Sequence, residues 1–100
     1  MESAGINELA ERAYNSALQR GKIHNKYINH DETVSSLAEE FNEFILADEC
    51  QKSPHITDVS HAVEELTDLI IVCMTELYRR DINIDEMLRS KIMFNESRPD

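Results

Sequence analysis

Apolar residues recur along this chain at spacings of three and four, the pattern of helices that each bury one stripe. Ile6, Leu9, Ala10, Ala13, Ala17 and Leu18 mark a first helix over about 3–20, and Gly21 stands where a left-handed glycine closes a helix. Lys22 to His30 reads as a connection. Asn29 or Asp31 can cap a second helix over about 31–51, whose stripe is Val34, Leu37, Ala38, Phe41, Phe44 and Ile45. Ser53-Pro54-His55-Ile56 reads as a loop, after which Thr57 is placed to cap a third helix over about 57–80. Its stripe is Val59, Ala62, Val63, Leu66, Ile70, Cys73 and Leu77. Asn83 and Glu86 have capping-box spacing at the start of a fourth helix over about 84–97, in which Ile84, Met87, Leu88, Ile92 and Met93 face inward. No run alternates as a strand does, and Gly and Pro, two of each, interrupt little. The expected architecture is an all-α bundle of four helices joined by short loops, one domain over residues 1–100.

Leu69 to Met74 is an unbroken apolar run and therefore covers every side of the third helix, including the side that a lone bundle leaves wet. A second copy of the chain supplies the missing cover most simply, so the expected assembly is a homodimer or homotetramer with Ile71 and Met74 near the interface. The same run falls far short of the ~20 apolar residues of a membrane span, and the N-terminus carries no basic-then-apolar signal pattern. A cytoplasmic protein without a membrane partner is expected. Cys50 and Cys73 lie in separate periodic segments, as free thiols in a reducing compartment do, and are expected in the core.

The formal net charge of −10 argues against a nucleic-acid polymer as partner, because gripping a phosphate backbone takes clustered Lys and Arg. It points instead to what the acids do. Glu39-Glu40-Phe41-Asn42-Glu43-Phe44-Ile45-Leu46 recurs as Glu64-Glu65-Leu66-Thr67-Asp68-Leu69-Ile70-Ile71, acid against acid and apolar against apolar. Residues three apart are neighbours on a helix surface, so Glu40 and Glu43 form one pair and Glu65 and Asp68 another, each beside an apolar stripe. A single such pair is ordinarily a solvated face. Two pairs on the inward shoulders of packed helices repel unless a cation sits between them. Oxygen donors without Cys or His at i+3 suit Mg²⁺, with Mn²⁺ as a substitute, better than Zn²⁺. Glu39 is a candidate extra ligand, although Glu39 and Glu64 both point further from the stripe and are expected to be solvated. Mg²⁺ often completes its shell with substrate phosphates, and such sites orient and deprotonate a water while stabilising charge as a P–O bond breaks. A phosphorylated substrate follows.

Lys91, Asn95 and Arg98 stand at i, i+4 and i+7, so a fourth helix continuing this far aligns an ammonium, an amide and a guanidinium for phosphate oxygens. A soluble basic C-terminal face is the plainer reading of that row. Pro99 pushes Arg98 away from helical geometry. Tyr27 and His30 are candidates for stacking on a base, and His61, one turn before Glu65, for holding that carboxylate.

Glu39-Glu40-x-x-Glu43, Glu65-x-x-Asp68 and Lys91-x-x-x-Asn95-x-x-Arg98 together resemble the MazG-like, all-α nucleoside triphosphate pyrophosphohydrolases and their dimeric dUTPase relatives, over about residues 27–98. The resemblance implies Mg²⁺-dependent hydrolysis of (deoxy)nucleoside triphosphates between the α and β phosphates. It assigns Glu40, Glu43, Glu65 and Asp68 to the metal and to catalysis, and Lys91, Asn95 and Arg98 to substrate phosphates. The chain has no Trp, so the tryptophan base-sandwich of some relatives has no counterpart in it. Two other readings stand beside this one. A non-catalytic helical module would dimerise and present an acidic surface; a di-iron carboxylate bundle would need His where Glu43 and Asp68 stand.

Overall fold

A computed structural model describes residues 5–99 and is helical, with α1 (Ile6–Gln19), α2 (His30–Leu46), α3 (His61–Arg79) and α4 (Ile84–Glu96) in that order. The described residues contain no strand, only an isolated bridge between Lys52 and Ser60. None of the described helices is long and apolar enough to cross a membrane.

Local chemistry sets most of the helix ends. Gly21 adopts φ 72°, its amide bonds Leu18 O at 3.1 Å, and the Lys22 amide reaches back to Ala17 O at 2.9 Å, closing α1 as expected. α3 closes the same way without a glycine. Asp81 takes φ 58°, with its amide on Tyr78 O at 3.0 Å and the Ile82 amide on Leu77 O at 3.2 Å. The Asn29 side chain accepts the Glu32 amide at 3.1 Å, and Asn83 accepts the Glu86 amide at 3.2 Å. Asp31 therefore falls inside the first turn of α2 rather than capping it.

Two boundaries depart from the expected ones. α2 stops at Leu46, not near 51, because Ala47 turns extended (φ −79°, ψ 148°) and the Asp48 carboxylate takes the Cys50 amide at 2.7 Å in a side-chain turn. α3 begins at His61, not 57, since Asp58 has φ 67° and cannot continue a helix. Ser60, whose Oγ accepts the Val63 amide at 3.1 Å, takes the capping role expected of Thr57. The expected start of α1 near Ser3 lies outside the described residues.

The chain divides into two compact units, residues 28–73 and the segments flanking them. In the flanking unit Ala10, Met74 and Ile84 form one buried cluster with Ile6, Leu77 and Tyr78 packed on it. Tyr14, Ala17 and Ile23 form another, with the Tyr14 and Tyr78 rings 4.8 Å apart. Met74 is thus consumed by the chain's own core and is not free for an interface. The Asn7 amide donates to Asn83 Oδ1 at 2.9 Å while its oxygen accepts the Ile84 amide at 2.7 Å, tying the first turn of α1 to the start of α4. Arg79 is buried against Glu76 at 3.0 Å and donates to the Tyr27 carbonyl, while Arg80 meets the other Glu76 oxygen at 2.9 Å.

Within residues 28–73 Thr33 and Ala62 are buried, but Val34, Phe41, Ile45, Val63, Leu66 and Ile70 are exposed where the pattern placed a core. α4 likewise buries Ile84 and leaves Met87, Leu88, Ile92 and Met93 exposed. Leu9 is also exposed, as are both thiols, Cys50 and Cys73, contrary to expectation. Helical periodicity identifies which face is apolar; it does not say that one chain suffices to cover it.

Candidate metal centre

Glu40 and Glu43 occupy the second half of α2, and Glu65 and Asp68 the first half of α3, all within residues 28–73. Each pair is separated by three residues and so shares a helix face. One ligand oxygen from each of the four lies within 4.8 Å of all the others. The two acidic pairs that the sequence set apart therefore do converge. Glu43 is exposed; Glu40, Glu65 and Asp68 are half-buried.

Convergence has an electrostatic cost that shows in the protonation of the site. Burial pushes the Glu40 carboxyl up to about 7, with further contributions from Glu43, Asp68 and Glu39. Glu65 is raised as well, first by burial and then by Asp68 and Glu43. Glu40 Oε2 and Glu65 Oε2 are both buried without a hydrogen-bond partner. A buried acceptor ordinarily finds a donor, so two unsatisfied oxygens among crowded carboxylates fit a hard cation. The donor set, all oxygen, suits Mg²⁺ or Mn²⁺.

Three neighbouring side chains complete the picture. His61 Nε2 lies 3.0 Å from Glu65 Oε1. Glu39 is exposed, in line with its expected solvation. Glu64 is not solvated: it accepts hydrogen bonds from the Ser53 hydroxyl and, at 2.8 Å, from His55 Nδ1, and these hold its carboxyl below the ordinary value. Ser53 Oγ in turn accepts the His55 and Ile56 amides at 3.1 and 3.0 Å. With the His61 amide on Gln51 O at 2.7 Å, this network fastens the loop after α2 onto the first turn of α3. Sequence reasoning missed it; the signal was a Ser and a His flanking Pro54 just before a helix start.

The cationic row is less regular than expected. Lys91 and Asn95 stand exposed on α4, with the Lys91 ammonium 4.8 Å from the Phe94 ring centroid. Arg98 lies beyond the helix, which ends at Glu96 with Ser97 as its cap. Pro99 accounts for this by disfavouring helical geometry before it. These three belong to the flanking unit, as does Tyr27; His30 opens α2, and both Tyr27 and His30 are exposed. The chain shows no match to family models, to curated proteins or to solved structures.

Proposed function

We propose that the protein is a Mg²⁺-dependent nucleoside triphosphate pyrophosphohydrolase: water adds at the α-phosphorus, the bond to the β-phosphate bridge breaks, and a nucleoside monophosphate and pyrophosphate leave. The observation that carries this reading is the convergence of Glu40, Glu43, Glu65 and Asp68 around two buried, unsatisfied oxygens. The four carboxylates hold the cation, and Glu40, whose proton is retained to about pH 7 by burial and crowding, gives it up on binding. A bound Mg²⁺ supplies charge neutralisation for the phosphates and acidifies a water. By their spacing in the sequence alone, Lys91, Asn95 and Arg98 are the candidates for phosphate oxygens, and Tyr27 and His30 are the candidates for the base. The spacing of the acids and of the Lys, Asn and Arg residues, which resembles that of MazG-like enzymes, supports the substrate class.

The working form is a homo-oligomer in the cytoplasm that controls or cleanses the nucleotide pool. Support for the oligomer comes from the apolar residues that a single chain leaves exposed on α2, α3 and α4. The test is to incubate the purified protein with a panel of ordinary and modified (deoxy)nucleoside triphosphates, with and without Mg²⁺, and to measure pyrophosphate. Mg²⁺-dependent release from at least one is expected, and no release from any overturns the proposal.

A further inference from the structure

We propose that His61 is the positioning residue of the Glu65 ligand: its Nε2–H occupies Oε1 and leaves Oε2 as the oxygen presented to the cation. This deepens the metal reading above and rests on it.

The two oxygens of Glu65 live in different surroundings. Oε1 is 3.0 Å from His61 Nε2, and Oε2 is buried with no hydrogen-bond partner. The terminal torsion of a Glu side chain is broad and roughly two-fold, so without a donor on one side the carboxylate can turn or present both oxygens equally. A single N–H on Oε1 removes that freedom. His61 is itself well placed to be a fixed donor, because it opens α3, one turn before Glu65 on the same face, and its backbone amide is bonded to Gln51 O at 2.7 Å. Its side chain is two-thirds covered and that of Glu65 more so, 31% against 13% exposed, so water competes weakly for the contact. Glu40 presents the contrasting case. Its Oε2 is likewise buried without a partner, and crowding with Glu43 dominates its surroundings after burial. Metal-binding carboxylates elsewhere are commonly held by such outer hydrogen bonds.

The experiment is calorimetric titration of the metal-free full chain with Mn²⁺ alone, comparing wild type, His61→Leu and His61→Gln. Leu keeps bulk and loses the donor, whereas the Gln amide nitrogen can reach the place of Nε2. Leu is expected to weaken Mn²⁺ binding by about 10- to 100-fold, and Gln to restore most of it. Far-UV circular dichroism of each metal-free variant establishes that it is folded, with His61→Ala as the replacement if Leu is not. Wild-type affinity in the Leu or Ala variant overturns the assignment of His61 while leaving the metal site standing. Equal losses in Leu and Gln also overturn it, since imidazole packing rather than the donor would then matter. If wild type itself binds no Mn²⁺, the metal reading falls and this one with it.

Discussion

Glu40 on α2 and Glu65 on α3 each bury one carboxylate oxygen, Oε2, without a partner in the same cluster of acids. Neither helix gains stability from this arrangement. Unsatisfied buried acceptors and crowded like charges both oppose folding, so the pair marks a place where the fold tolerates strain that a ligand can relieve.

The strain has a pH signature. The Glu40 carboxyl is raised from 4.5 to about 7, so the folded chain holds a proton that the unfolded chain releases. A raised folded value contributes stability that is complete below the unfolded value and is lost as pH climbs through the folded one. The melting temperature of metal-free protein is therefore expected to fall between about pH 4.5 and pH 7 and to stay low above that. Saturating Mg²⁺ should recover it at the alkaline end, by about 2.7 kcal/mol at one hundred times the dissociation constant. Thermal melts across this range, with and without Mg²⁺, check both halves; a metal-free profile that rises towards neutral pH contradicts the first.

Glu40→Gln removes the charge whose burial is unfavourable and keeps the shape. Above pH 7 the metal-free variant is expected to be more stable than wild type, by roughly 1–2 kcal/mol after allowance for solvent screening. Pyrophosphate release should be abolished in the same variant, and in Asp68→Asn. Gain of stability with loss of function is the mark of a ligand set. Urea denaturation paired with the pyrophosphate assay reads both, and a variant that loses stability or keeps turnover places the site elsewhere.

The four helices and the acidic site were legible in the sequence for a shared reason: both depend on spacing along one helix. Asn29, Asn83 and Gly21 act on amides or carbonyls a few residues away, and their roles are visible in the chain alone. Glu40, Glu43, Glu65 and Asp68 needed only the assumption that the two helices bring their acidic pairs together. What escaped depends on the third dimension. Asp58 and Asp81 at positive φ, the Ser53–Glu64–His55 network and the Met74–Ala10–Ile84 cluster arise from contacts between distant segments or from backbone turns that several residue types can adopt. Exposure of Val63, Leu66 and Ile70 escaped because periodicity gives a direction and not a partner.

The buried guanidinium of Arg79 provides a test of stability away from the site. Glu76 joins Arg79 and Arg80 at 3.0 and 2.9 Å, and Arg79 also donates to the Tyr27 carbonyl. Replacing Glu76 by Leu takes away the carboxylate that Arg79 and Arg80 share, and breaking such a buried pair typically costs about 3–5 kcal/mol. The urea midpoint of Glu76→Leu should drop accordingly, and by more than that of Arg89→Ala, whose pair with Asp85 is on the surface. Equal midpoints for the two variants contradict the structural role of the cluster.

Val63, Leu66 and Ile70 lie three and four residues apart on α3 and are each more than 40% exposed, so one chain leaves an apolar stripe in water. Exposed stripes of this kind mark association surfaces in soluble proteins, and identical chains meet most readily across a two-fold axis. The chain is accordingly expected to sediment at a multiple of its 11.6 kDa mass, with a melting temperature that rises with protein concentration. Leu66→Glu combined with Ile70→Glu puts charge on the stripe without touching the buried residues of α3. That variant should sediment as a monomer, keep its helical circular dichroism and melt lower than wild type. A wild-type chain that is monomeric at high concentration, with a melting temperature independent of concentration, would show that this face stays wet.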